Sequence, residues 1–431
     1  MNMREMKDSG ISWIPKIPIN WSIHRLKYIV DSLSKGNGIT KEDVLLNGDT
    51  PCVRYGEIYS KYDYSFTTCI SRTNVDKVSS PQYFSYGDIL FAGTGELIEE
   101  IGMNIVYLGD DDCLAGGDII IARHQQNPAF LNYALNSGYI QSQKGFGKAK
   151  LKVVHISAFD LGNLIVALPP ITEQKRIADY LDNKCAEFNS TLSDIQSQIE
   201  VLEEYKRSVI TEAVTKGLDP DVKMRDSGIA WVGDIPAHWI THPLYFYFGV
   251  RKNKNALGLE TNLLSLSYGK IIRKDINSNG GLLPESFNTY NIIEKDDIII
   301  RPTDLQNDKR SLRTGIAREH GIITSAYIAM KAIKSVNPEY FHYLLHAYDV
   351  MKVFYNMGNG VRQGLNFSEF SRLMVFEPTI EEQNAIVEYL KEKCDEIDLA
   401  IAEKKQQIET IEEYKKSLIF EYVTGKKEVQ A

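Results

Sequence analysis

The chain has 431 residues, enough for two or three domains with cores of their own. Hydrophobic residues make up 43% and charged residues 25%, and the net charge of −8 argues against a protein that coats nucleic acid regardless of sequence. No apolar run nears the ~18 residues that span a bilayer, the polar start MNMREMKDSG is no signal peptide, and five cysteines without a Cys-x-x-Cys pair read as free thiols of a reducing cytoplasm.

Residues 1–21 form a lead-in segment. Its stretch MKDSGISWIPKIPINW combines Gly, Pro and Asn with Trp13 and Trp21, which predicts a turn-rich fold anchored by an aromatic ring. Residues 22–168 then make a region of single-domain size and mixed α/β character. In it Gly87-Asp88 turns into the apolar strand Ile89-Leu90-Phe91, and Asn127-Pro128 supplies a cap and a first-turn proline for a helix. Near its end, GFGKAKLKVVH places Lys148, Lys150 and Lys152 at alternate positions. On an extended segment alternate side chains share one face, so these three suit a track of phosphates.

Residues 169–217 read as one long helix. Leu181, Phe188, Leu192, Ile195, Ile199 and Leu202 recur mostly four then three apart, and no proline or glycine breaks the run between Pro170 and Gly217. At 1.5 Å per residue, about 40 residues span roughly 60 Å. A stripe this narrow needs a second helix to bury it.

Residues 218–239 are a short linker and a second lead-in, MRDSGIAWVGDIPAHW, in which Trp231 and Trp239 repeat Trp13 and Trp21. Residues 240–376 form a second globular region, with Asp296-Asp297 before Ile298-Ile299-Ile300 and Asn337-Pro338 before a helix. Its basic residues gather in RPTDLQNDKRSLRTGIAR, which carries Arg301, Arg310, Arg313 and Arg318. In GNGVRQGLNF, Arg362 and Gln363 sit in a glycine-rich turn. Arginine pairs with guanine and glutamine with adenine through two hydrogen bonds each, so these types are apt for base contact.

Residues 377–431 form the second long helix, with Leu390, Ile397, Ile401, Ile408, Ile411 and Leu418 along its seam and Lys404 standing where the first helix has Ile195. The helices align without a gap, Gln383 on Gln174 and Cys394 on Cys185. The chain is a tandem duplication. The expected fold class is α+β: two mixed α/β domains separated by two long helices packed as an antiparallel coiled coil, with an internal pseudo-twofold.

Catalytic signatures are missing. There is no GxxxxGK[ST], Gly93-Thr94-Gly95 does not continue into a dinucleotide fingerprint, and no Asn-Pro-Pro-aromatic motif of amino-methylating enzymes is present. His342 and His346 lack the glutamate of HExxH and read as a structural pair. The expectation is a non-catalytic chain without a metal.

The paired stretches PPITEQKRIADYL and PTIEEQNAIVEYL, the helix ends EEYKRSVITEAVTKG and EEYKKSLIFEYVTGK, and the two DSGI-containing lead-ins resemble the specificity subunit of Type I restriction–modification systems over essentially the whole chain. The resemblance implies that each globular region is a target recognition domain reading one half of a split double-stranded DNA sequence. It implies that the helices set the unread gap, and that two methyltransferase subunits and further restriction subunits assemble on the chain in the cytoplasm, with no membrane partner. S-adenosylmethionine, ATP and Mg would belong to those partners, with no cofactor in this chain. A coiled-coil scaffold or adaptor that binds no DNA accounts for the helices, but not for two glycine-flanked basic turns at equivalent points.

Overall fold

The structure, a computed structural model, describes residues 4–148, 153–229, 231–276, 284, 286–303, 305, 312–355, 357 and 364–429. The chain divides into two compact units, one of Met1–Ile195 with Gln406–Ala431 and one of Gln196–Lys405. From sequence alone, each long helix stands as a segment apart from the globular regions. The compact units divide within the helices, so each unit owns half of both.

The first unit is built on an antiparallel sheet of β1 (Val30–Lys35), β2 (Ile89–Ala92), β3 (Asn104–Tyr107) and β4 (Ile119–His124), in the order β1-β4-β2-β3. Ser65–Phe66 extends it in parallel beyond β3. The second unit is built on β5 (Phe248–Val250), β6 (Ile298–Ile300), β7 (Thr314–Ile316) and β8 (Ile328–Ala332), in the order β5-β8-β6-β7. The winding is the same.

The central strands are apolar on both faces because each face has its own core. In β2, Ile89 and Phe91 join one cluster while Leu90 and Ala92 join another; in β6, Ile298 and Ile300 face one and Ile299 the other. Both strands follow a left-handed residue, Gly87 at φ 88° and Asp296 at φ 70°.

Four helices hold the rest of the architecture together: α1 (Pro128–Asn136), α2 (Ile171–Lys216), α3 (Pro338–Val350) and α4 (Ile380–Val423). Asn127 caps α1 by accepting from the Phe130 N–H at 2.9 Å, and Asn337 caps α3 by accepting from Glu339 at 2.9 Å. Before each long helix comes a short strand, Ile165–Leu168 paired with Ser22–Arg25, and Met374–Glu377 paired with Ile240–Pro243.

A buried glutamine fastens each long helix to its domain. Gln174 accepts from the Asn127 N–H at 3.0 Å and donates to the Pro169 carbonyl at 3.0 Å. Gln383 repeats both bonds, with Asn337 at 2.8 Å and Pro378 at 3.0 Å. The two amides are 2% and 1% exposed, so water cannot replace what they supply.

The long helices pair antiparallel, unit by unit. In the first unit Tyr180 of α2 meets Tyr422 of α4 with ring centroids 4.6 Å apart, and Phe188 meets Tyr414 at 5.6 Å. As α2 advances eight residues, α4 retreats eight. Further along, Lys415 donates to Asn189 at 2.8 Å. The second unit holds the equivalent bond, Lys206 to Asp398 at 2.6 Å. The repeated Glu-Glu-Tyr-Lys is thereby explained at its lysine, which reaches across the pair in both copies.

The exit glycines complete the pattern. Gly425 (φ 71°) lies in the first unit, where a Cβ would come within 2.5 Å of Pro18 and 3.3 Å of Trp21. Gly217 (φ 75°) lies in the second, where a Cβ would meet Trp239 at 3.3 Å. Left-handed backbone and close aromatic approach both demand glycine here.

Replacing Gln383 by Leu strands the Asn337 N–H and the Pro378 carbonyl in a buried site, at a cost of about 2 kcal/mol. Denaturant titration of the variant checks this, and a loss below about 0.5 kcal/mol, the scatter of neutral surface changes, would show that the lock is dispensable.

Candidate nucleic-acid interface

The seam residues divide between the units. In the first, Leu181, Ile195 and Leu418 are buried and Phe188, Leu192, Ile408 and Ile411 half-buried; in the second, Ile199, Leu390, Ile397 and Ile401 are buried and Leu202 and Lys404 half-buried. Leu181 and Leu418 join the main core of the first unit, and Leu390 that of the second.

The basic candidates fare unequally. Lys148 donates to Asp160 at 2.9 Å and is part-buried, while Phe146 just before it is 81% exposed. Lys150 and Lys152 lie outside the described residues, as do Arg310, Arg362 and Gln363. Arg301 is half-buried, its N–H donating to the Arg313 carbonyl at 2.8 Å. Arg318 is exposed and ion-paired with Glu339 in the first turn of α3.

Arg313 requires a correction. It is 0% exposed: its backbone N–H donates to the Asp349 carboxylate, its guanidinium to the Thr303 carbonyl, and its charge lies 5.8 Å from the Tyr355 ring. Burial pushes the Asp349 carboxyl above its ordinary range, opposed by the Arg313 N–H and the Tyr355 hydroxyl. Arg313 therefore organises the interior of the second unit and offers nothing to a polyanion outside.

Sequence reasoning also missed Lys144. This amine is 1% exposed and donates to the Gly102 carbonyl at 2.7 Å and Asn104 Oδ1 at 2.9 Å, and burial pulls it down to about 7. It fixes the turn that leads into Phe146. Its one sequence signal is position, in the last turn of the helix Gly138–Gly145.

Each unit also carries a cleft beside its long helices. In the first, of about 820 Å³, Trp13 faces Tyr139, Lys416, Ser417 and Phe420. In the second, of about 590 Å³, Trp231 faces Arg207, Ser208, Thr211 and Met351. Trp231 is the repeat of Trp13, and Arg207, Ser208 and Thr211 are the repeats of Lys416, Ser417 and Phe420. Trp21 and Trp239 are instead buried anchors. Among the described residues no three His, Cys, Asp or Glu side chains gather as a metal site, and no helix is long and apolar enough to cross a membrane.

Residues 18–201 match the family model described as Type I restriction modification DNA specificity domain. The likeness runs through the whole chain in a putative type I restriction enzyme specificity subunit, MjaX, of Methanocaldococcus jannaschii, 26% identical over 426 residues and covering 96% of this chain and 95% of that protein. The chain is similar to the Type I restriction–modification specificity subunits. A second such subunit of the same organism, MjaVIII, is 25% identical over 315 residues, 69% of each chain. The fold is shared with a chain from a structural study of type I R-M complex assembly and conformational transition, at a TM-score of 0.68 and 14% identity, over 95% of this chain and 99% of that one.

His342 and His346 line α3. Burial pulls His342 down to about 3, helped by His346, and pulls His346 down to about 4, helped by Lys206 and Arg207. Both folded values lie below the unfolded value near 6.5, so their contribution is complete above pH ~6.5 and is lost as pH falls towards 4. Stability should drop between pH 6.5 and 5, each histidine adding up to about 1.4 kcal/mol per pH unit. Melting curves of the double variant His342→Asn/His346→Asn should flatten over this range; an unchanged slope would refute the assignment.

Proposed function

We propose that each compact unit reads one half of a bipartite duplex DNA target, and that the paired helices set the unread gap between the halves. The observation that carries this reading is a common scaffold with unlike additions. Both units wind their sheet in the same order. A second sheet also follows one order, Ser71–Thr73, Thr50–Val53, Cys113–Ala115 and Tyr83–Phe84 in the first and Lys270–Arg273, Leu264–Ser267, Gly321–Ile323 and Asn291–Ile293 in the second, where a parallel Leu263–Ile322 bridge joins the two halves. The first unit inserts the helix Tyr55–Ser60 and the strand Ser65–Phe66 at the point where the second only turns, at Tyr268-Gly269. A fixed frame with different surfaces is what two different half-sites require.

The two Trp13 and Trp231 clefts, built from repeated positions, support docking of two copies of one partner, the methyltransferase subunit. Restriction subunits join that complex. Adenine methylation with S-adenosylmethionine, and cleavage with ATP and Mg, are then the partners' chemistry, carried out in the cytoplasm where the DNA is, and this chain supplies the address. Lys148, Lys150, Lys152, Arg301, Arg310, Arg318, Arg362 and Gln363 remain proposed contributors to DNA contact.

Mapping methylated adenine genome-wide, in cells with and without this chain beside its methyltransferase partner, should reveal a two-part motif that depends on the chain. Exchanging residues 22–168 for those of another specificity subunit should change one half only. Inserting one heptad into both helices lengthens each by ~10 Å, so the gap should grow by about 3 base pairs at 3.4 Å each. A motif that changes in both halves on domain exchange would contradict the modular reading, and absence of any motif would favour a scaffold without DNA specificity.

A further inference from the structure

We infer that the first unit seats the sugar–phosphate backbone of its half-site in a glycine-floored cleft at the end of β1, with Lys41 and Lys61 as phosphate contacts. The inference rests on the DNA-reading function proposed above and locates the contact within it.

The cleft, of about 870 Å³, lies between three stretches: residues 35–41 after β1, the short helix Tyr55–Ser60 with Lys61 after it, and Gly116-Gly117-Asp118 before β4. Its floor is bare backbone. A Cβ at Gly36 would lie 2.2 Å from the Gly116 carbonyl oxygen, so no side chain fits there, while Gly38 (φ 56°) and Gly56 face open space. A ligand can therefore come close to the main chain across the cleft.

Charge decides what kind of ligand. Four cations line the cleft, Lys35, Lys41, Arg54 and Lys61, against two carboxylates, Glu57 and Asp118. Both carboxylates are engaged: Arg54 donates to Glu57 at 2.9 Å and 3.2 Å, and Lys35 lies 3.4 Å from Asp118. Lys41 and Lys61 are exposed and, among the described residues, paired with no acid. Four positive charges less two negative leave the lining at +2 on a chain whose net charge is −8. Tyr55, 40% exposed, adds an aromatic ring and a hydroxyl. A concave, glycine-lined surface with uncompensated lysines suits a phosphodiester chain.

A further observation points the same way. In the second unit the topological equivalent of β1 is β5, likewise an edge strand, and the chain leaving it carries exposed Lys252 and Lys254. Arg251 between them and the strand is held by Asp297, as Lys35 is by Asp118. Both repeats thus place exposed lysines just past the same strand.

The test uses the full chain in complex with its methyltransferase subunit. The motif is first read from adenine methylation, and affinity for a duplex of that motif is then measured against salt concentration. Lys41→Ala/Lys61→Ala should bind at least about tenfold more weakly near 0.1 M salt and keep the same motif, and the slope of log K against log salt should shrink by about two. A control variant, Lys27→Ala, should leave slope and affinity unchanged. Because the substituted lysines are exposed, an unchanged melting temperature and co-purification with the partner separate lost contact from lost fold. If the wild-type complex has a motif and the double variant binds it with undiminished slope, the cleft is not the backbone seat and the general DNA-reading function stands. A double variant that reads different bases would overturn the phosphate role. A wild-type complex with no motif overturns the DNA reading and this inference with it.

Discussion

Each core is closed by helix turns that the chain brings from the other repeat. The first unit's cluster contains Trp21 and Ile17 from the chain's start and Leu418, Ile419, Tyr422 and Val423 from its end. The second contains Trp239 and Ile235 from the second lead-in and Val209, Ile210, Ala213 and Val214 from the end of α2. The glycines at 217 and 425 let tryptophan rings reach the helix ends, and the buried amides of Gln174 and Gln383 fix how each helix enters its domain. Antiparallel pairing inside each unit is the result, because the start of one long helix and the finish of the other are built into one core.

This arrangement reconciles an acidic protein with a polyanionic ligand. Much of the negative charge lies on α2 and α4, whose outer faces are rich in glutamate and aspartate. The recognition surfaces are free to be locally positive, and affinity for DNA depends on those local charges more than on the total. Within the recognition domains, formal charge is a poor guide to availability. Arg313 is sealed inside, Arg318 five residues later lies on the surface against Glu339, and Arg54 spends its guanidinium on Glu57.

Much of the architecture is legible in the residues because duplication doubles every local signal. The Asn-Pro helix starts, the turns before apolar strands and the heptad stripes each occur twice at corresponding places, and propensity and periodicity can find them. The order of the sheets cannot be read this way, since it depends on which distant strands meet. The glutamine locks were visible as a repeated letter five places after a proline, but their partners, Asn127 and Asn337, lie 47 and 46 residues earlier in the chain. The proposed backbone seat was invisible for the same reason. Its lysines and glycines come from stretches centred near residues 38, 57 and 117, none of which is basic enough alone to attract notice. Arg313 misled because a run rich in basic residues reads as surface, and only the fold reveals that Asp349 and Tyr355 stand ready inside.

The discontinuity of the first unit has a consequence for synthesis on the ribosome. The second unit comprises one uninterrupted stretch, Gln196–Lys405, and has all its parts once that stretch has emerged. The first begins at the N-terminus yet lacks part of its core until residues 418–423 are made. Until then its lead-in tryptophan and the start of α2 have no helix end to pack against, and their apolar surface stays open to chaperones and proteases. The part translated first is finished last, and a prematurely terminated chain leaves that unit incomplete. Completeness of the polypeptide is thereby checked by folding itself, before any partner arrives.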